Sequence, residues 1–260
     1  MTFSFDDVQT KPVDIAPFVI LFAPNGHGKT SFILSINDPF VIDTENKYQK
    51  TTVQRYVPNT FQDVTECLMA LYNLEKFPGN ALAIDTVDWL EMRIHDDICK
   101  SHRRKDGTPA KHINDSSVEE LKMFRGGVIA SNMFNSYILS GLMAIRERHN
   151  IPIILCCQTI PVDPRLPIDD LGNAMDLRLD KNLRGYLADR VEAKMYLQIR
   201  HNKDFKGKII PTKERYHITE PQKGIAAKNS LHLPDEIPVG EYTGWNDFVS
   251  AINTNKTPRE

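Results

Sequence analysis

The sequence predicts an α/β fold: a mostly parallel, twisted sheet with helices on both faces and antiparallel strands late in the chain. Three observations lead there. Phe18-Val19-Ile20-Leu21-Phe22 is an unbroken apolar run rich in β-formers, as a strand buried on both faces should be. It passes straight into Ala23-Pro24-Asn25-Gly26-His27-Gly28-Lys29-Thr30, a phosphate loop of the form G-x-x-x-x-G-K-[ST] whose first glycine is Ala23. Downstream, short apolar runs alternate with helical patterns, and such an alternation packs as parallel strands joined by crossover helices.

Taken in order, Met1–Pro17 is polar and reads as an N-terminal arm, residues 1–17. Phe18–Phe22 is the first strand. Ser31–Ile36 reads as the first turns of a helix that stops near Asn37-Asp38-Pro39, because proline disfavours helical geometry in the residue before it. Phe40-Val41-Ile42 is a second strand, leaving into Asp43-Thr44-Glu45, and Thr51–Tyr56 is a further short one. Over Thr60–Leu74 the residues Phe61, Val64, Leu68 and Leu71 fall at helical spacing, and Pro78-Gly79-Asn80 breaks the segment. Ala81–Thr86 is an apolar strand closed by Asp85, and Val87–Cys99 continues as a helix. Lys100–Ser117, with Ser101-His102-Arg103-Arg104-Lys105-Asp106-Gly107 inside it, reads as a mobile loop. Gly126-Gly127 marks a turn, after which Phe134, Ile138, Leu142 and Ile145 give one apolar face to a helix over Phe134–His149. Ile151–Gln158 is another buried strand with a polar end. Thr159–Asn182 reads as a long loop, and long loops inside compact domains are usually functional or disordered. Arg190–Arg200 and Lys208–Ile218 are two late strands. Residues 18–228 then form the core, and residues 229–260 a Pro-rich, polar tail with a short helix at Trp245–Ile252.

Composition bounds the partners. A chain of 260 residues, 41% hydrophobic and 25% charged, suits one domain with a real core. The net charge is −2, so no global basic field advertises nucleic acid and local patches must carry any such contact. Cys67, Cys99, Cys156 and Cys157 form no C-x-x-C pair, and the adjacent two lie in an apolar run, as buried thiols of a reducing cytoplasm do. No stretch reads as long and apolar enough to span a membrane, and Met1–Asp14 lacks the apolar centre of a signal peptide, so no membrane partner is expected.

In parallel sheets ligands bind beyond the carboxyl ends of the strands, and here those ends carry polar groups. Gly26 and Gly28 let backbone N–H groups curl around phosphates. Asn25, His27 and Ser31 complete the nucleotide-binding stretch, with His27 at a free, solvent-facing position. Lys29 reaches the β- and γ-phosphates, and the Thr30 hydroxyl sits on Mg²⁺. Asp85 stands where a Walker B carboxylate belongs and is the second metal-shell group, or else merely caps its strand. Glu45 is the candidate to orient and deprotonate the attacking water, with Asp43 as rival. Gln158 is placed to hydrogen-bond the γ-phosphate and shift on hydrolysis, or is an ordinary strand-end amide.

FVIDTE, ALAIDTVDWL and IILCCQ, in that order after the phosphate loop, resemble the ATPase core of the RecA family of recombinases over roughly Phe18–Ile218. The resemblance implies a RecA-like phosphate-loop NTPase core that uses ATP and Mg²⁺. It makes Glu45 the catalytic glutamate, Asp85-Thr86 the Walker B pair and Gln158 the sensor leading into a DNA-binding loop, with Asn182–Val191 as the segment after that loop. The short arm and tail look most like phage-encoded RecA-like ATPases of the single-strand-annealing type. That implies DNA recombination in a bacterial host cytoplasm, with single-stranded DNA and a single-stranded-DNA-binding protein as partners. The DNA would lie on two loops, Arg103, Arg104, Lys105 and Lys111 in one and Arg165, Arg178, Lys181 and Arg184 in the other. Cationic loops suit a single-strand backbone. Asp163, Asp169, Asp170, Asp176 and Asp180 temper the second, so a solvated charge run is the competing reading. The resemblance also implies a head-to-tail homo-oligomer, filament or ring, in which Lys203 completes a neighbour's catalytic site. Two other readings use the same loop: a small-molecule or nucleotide kinase with Lys100–Ser117 as its lid, and a nucleotide-dependent phage accessory module without DNA activity.

Overall fold

The computed structural model describes residues 15–161, 175–203, 209–222, 224–240 and 242–255. The expected arm up to residue 14, Arg165, and the acids Asp163, Asp169 and Asp170 lie outside the described residues.

The chain opens with β1 (Phe18–Phe22), the phosphate loop and α1 (Lys29–Leu34). Next come β2 (Pro39–Asp43), β3 (Gln54–Tyr56), α2 (Phe61–Asn73), β4 (Ala81–Asp85) and α3 (Val87–Ser101). A long helix follows, α4 (Arg125–Met133) continuing through a π segment (Phe134–Leu139) into α5 (Ser140–His149). After it come β5 (Ile153–Cys157), β6 (Thr159–Pro161), β7 (Met175–Leu177), α6 (Lys181–Arg190), β8 (Ala193–Lys203) and β9 (Ile209–Ile218). β10 (Lys228–Asn229), β11 (Glu236–Val239) and α7 (Gly244–Asn255) close the described chain.

The main sheet runs β11–β9–β8–β1–β5–β4–β2–β3, with β10 added beside β8. From β8 to β3 every pairing is parallel. On the far side of β8 the ladders turn antiparallel, as expected for the late strands. β6 and β7 form a separate antiparallel ladder.

Alternation along the strands splits the core in two. Phe18, Ile20, Phe22, Ile42, Leu82 and Ile84 face α2, α3, the long helix and α6. Val19, Leu21, Val41, Ala83, Ile154 and Cys156 face α1 and α7. Helices therefore cover both faces, and the central strands are buried runs for that reason. The register sets the site: Asp43 pairs with Asp85, Asp85 with Cys156, and Cys157 with Phe22. Ala23, Thr44, Thr86 and Gln158 thus leave the sheet along one edge.

Four expectations need correction. Gly126-Gly127 does not mark a turn; it lies in the first turn of α4, so the helix expected at Phe134 begins at Arg125. Glycine is needed there because a Cβ on Gly126 would lie 1.7 Å from the Ile113 carbonyl oxygen. The segment Glu119–His149 is long and apolar enough by composition to cross a bilayer, against the reading that no stretch is. Yet Phe134, Ile138, Leu139, Leu142 and Ile145 are fully buried in the core, as in a core helix. Lys100–Ser117 is folded onto itself. The Asp115 carboxylate accepts from the Lys111 and Ser117 N–H groups and pairs with Arg104 at 3.1 Å.

Residues 229–260, expected as a polar tail outside the core, are instead packed onto it as far as Asn255, and the short helix expected at Trp245–Ile252 is part of α7. β11 pairs with β9, and α7 lays Trp245 and the fully buried Phe248 against Phe32. Beside them His217 is buried with neither ring nitrogen bonded, and burial pushes its pKa down to about 3. The ring is a neutral aromatic filler. Phe248→Ala should therefore destabilise the protein by about 3–5 kcal/mol in denaturant unfolding. A loss below about 1 kcal/mol would place α7 outside the core.

Candidate nucleotide site

The phosphate loop has the backbone that its glycines foretell. Gly26 sits at φ 79° and Gly28 at φ 102°, left-handed values that favour glycine. Ala23 needs no such freedom. It is the buried exit of β1, and its N–H donates to the Cys157 carbonyl at 3.3 Å. Lys29 is buried, its ammonium donating to the Ala23 and Pro24 carbonyls at 2.6 and 3.1 Å. Burial lowers its pKa against the raising fields of Cys156 and Asp85. Asn25 and Gly26 are exposed, and His27 is partly exposed with Nδ1 3.2 Å from the Asn25 carbonyl, as a free loop position would be.

Asp85 gathers the site. It is fully buried at the end of β4. Its Oδ2 accepts from the Thr30 hydroxyl at 3.1 Å and from the Tyr48 hydroxyl at 2.6 Å. Its Oδ1 accepts from the Lys47 ammonium at 2.8 Å. Burial, then the Asp85 charge, raise the Tyr48 pKa, so the phenol stays a donor.

Glu45 joins the same network. Its Oε1 accepts from the Thr86 hydroxyl at 3.0 Å and lies 3.4 Å from the Lys47 ammonium. Thr44 and Thr86 clasp the two strand exits: the Thr44 hydroxyl donates to the Thr86 carbonyl at 2.8 Å and accepts from the Thr86 N–H at 2.7 Å. Asp43 stands apart. Its buried carboxylate accepts from the Lys47 and Tyr48 N–H groups and pairs with Arg55 at 2.8 Å. Those oxygens are committed to shaping the turn, whereas Glu45 keeps a partly exposed side chain.

Gln158 extends the site sideways. Its N–H donates to Asp88 at 3.2 Å, and its side-chain oxygen accepts from Arg178 at 2.6 Å. Arg178 also lies 3.9 Å from the buried Asp88. One helical turn further along α3, Glu91 accepts from the Asp180 N–H at 2.9 Å. The same α3 face thus anchors both Gln158 and the start of α6.

Other expected residues fall elsewhere. Arg103, Lys105, Lys111 and Lys181 are exposed. Arg104 and Arg184 are tied to Asp115 and Asp176. β8 passes the phosphate loop near Tyr196, and the backbone of Lys203 lies about 23 Å further along the strand at about 3.3 Å per residue. Three side chains at the site were missed: Lys47, Tyr48 and Arg215. The Arg215 guanidinium reaches within 3.5 Å of where a Cβ on Gly28 would stand, and makes no ion pair among the described residues. Lys47 and Tyr48 follow Glu45 closely enough that their proximity was readable; Arg215 depends on the β9 register and carried no signal.

A family model described as an AAA domain matches residues 16–115, the stretch that holds the phosphate loop, Glu45 and Asp85. Among solved structures the chain is similar to one titled as the crystal structure of the RadB recombinase. The two are 16% identical at a TM-score of 0.47, over 88% of this chain and 90% of that one. No curated protein matches.

Burial, with the nearby Asp180 and Asp88 charges, pushes the Glu91 carboxyl up to about 7. A folded value above the unfolded one means that the native state holds the proton more tightly. Stability then falls as pH rises from about 4.5 to about 7 and levels off beyond. Glu91→Gln should flatten that slope, worth on the order of 2–3 kcal/mol between pH 5 and pH 8 in denaturant melts. Parallel profiles for the two proteins would contradict it.

Proposed function

We propose that this protein is a Mg²⁺-dependent ATPase that binds single-stranded DNA and promotes annealing or recombination, of the phage-encoded RecA-like type. The observation that carries the ATPase reading is the meeting of Thr30, Glu45 and Asp85 in one hydrogen-bonded network beside Lys29, at the carboxyl edge of a parallel sheet.

The contacts support the following roles. N–H groups of Gly26–Thr30 and the Lys29 ammonium cradle the triphosphate. The donor set suits a hard divalent cation: a hydroxyl and a carboxylate 3.1 Å apart, at a point that already attracts an ammonium. Mg²⁺ is commonly held by one or two carboxylates plus the phosphates. No denser cluster of metal-ligating side chains occurs among the described residues. Thr30 and Asp85 would hold the ion, which would supply charge neutralisation for the phosphates. Glu45, steadied by the Thr86 hydroxyl, orients the attacking water and takes its proton. Gln158 reports on the γ-phosphate through Arg178 and Asp88.

DNA contact falls to Arg103, Lys105, Lys111 and Lys181, which are exposed, rather than to Arg104, Arg178 and Arg184, whose charges are engaged within the chain. The reach of β8 beyond its own site suits a Lys203 that works on a neighbour in a head-to-tail assembly. The single-stranded-DNA-binding partner and the bacterial host cytoplasm rest on the sequence resemblance. A kinase reading needs lid arginines that swing onto phosphates, and Arg104 is pinned to Asp115 and Ser117.

Glu45→Gln should lower ATP turnover about 10²- to 10⁴-fold while sparing ATP binding. Lys29→Ala should cost most of the binding. Single-stranded DNA should stimulate turnover of the intact protein at low salt. Turnover that ignores DNA would remove the DNA assignment and leave the ATPase. Unchanged nucleotide affinity in Lys29→Ala would remove both.

A further inference from the structure

We propose that Lys47 is a built-in counter-ion for the Asp85–Glu45 carboxylate pair, which lets the site take up a nucleoside triphosphate before a divalent cation arrives. This rests on the phosphate-loop reading above and assigns a step within it. The Lys47 ammonium lies 2.8 Å from Asp85 and 3.4 Å from Glu45, bridging the two carboxylates. Among the described residues it is the one cation in contact with Asp85. Lys29 spends its donors on the Ala23 and Pro24 carbonyls instead.

Asp43, held by Arg55, accepts from the N–H groups of both Lys47 and Tyr48. That fixes the backbone so that both side chains point at Asp85. Tyr48 is 1% exposed and is locked in place. The Lys47 side chain is 28% exposed and has room to move.

The electrostatic need is plain. A fully buried carboxylate and a second one beside it face the place where a polyanion enters. Uncompensated, like charges that close repel by several kcal/mol in a poorly solvated site. Tyr48 and Thr30 donate hydrogen bonds to Asp85 but carry no charge. Lys47 supplies it, and once Mg²⁺ is bound the ion duplicates that service. The Lys47 contribution to nucleotide binding should therefore be large without metal and small with it.

The experiment is titration of the full-length protein with a fluorescent ATP analogue, in EDTA and in Mg²⁺, for wild type, Lys47→Met and Lys47→Arg. Lys47→Met keeps most of the aliphatic stem and removes the charge. It should weaken binding about tenfold or more in EDTA and under about threefold in Mg²⁺. Lys47→Arg should stay near wild type in both buffers. In a second readout, Mn²⁺ affinity of the nucleotide-free protein, followed by electron paramagnetic resonance, should rise in Lys47→Met because the competing ammonium is gone. Equal loss in both buffers, no loss in EDTA, or unchanged Mn²⁺ affinity would overturn the assignment. Failure of the phosphate-loop reading looks different: wild type would bind the analogue in neither buffer.

Discussion

A single buried carboxylate constrains the rest of this structure. Asp85 ends β4 with no exposure to solvent, and an ionised group so placed is tolerated only when partners replace its water. Three do, from two separate parts of the chain. Thr30 arrives on α1, behind the phosphate loop; Lys47 and Tyr48 arrive on the turn after β2. To satisfy Asp85, the chain must bring the phosphate loop, the β2 exit and the β4 exit to one point. The candidate site is the result of that requirement, and the strand order with β5 between β1 and β4 is the scaffold that meets it.

The clasp between Thr44 and Thr86 and the Asp43–Arg55 pair hold this arrangement from the β2 side. On the other side, α3 takes over. Asp88 and Glu91 lie one helical turn apart and reach Gln158 and Asp180, which flank the segment between β5 and α6. A shift of Gln158 would be felt by Asp88 and Arg178, and the start of α6 hangs from the same helix face. The end of β5 and the start of α6 are therefore joined by a short hydrogen-bonded route through α3.

Much of this was readable from sequence where one signal dominated. The phosphate loop declares itself because its geometry demands glycine at two left-handed positions. The strands at Phe18, Phe40, Ala81 and Ile153 show as apolar runs because they are buried on both faces. Asp85 and Glu45 were visible as the carboxylates that close such runs. Other features depended on contacts distant in sequence. Gly126 serves a close approach to the Ile113 carbonyl, which is indistinguishable in sequence from a turn glycine. The C-terminal segment looks polar because α7 buries only one stripe, led by Phe248. Asp43 and Glu45 look alike in sequence, because the turn and the Arg55 pairing that engage only Asp43 are set by the fold. Arg215 reaches the phosphate loop only through the register of β9.

The most direct test of the central claim is a crystal structure of the protein with a non-hydrolysable ATP analogue and Mn²⁺, read by anomalous scattering. The expected result is a triphosphate wrapped by the Gly26–Thr30 amides, Lys29 on its β- and γ-phosphates, and one manganese peak beside Thr30 and Asp85. An analogue seated elsewhere, or manganese bound away from Asp85, would contradict it.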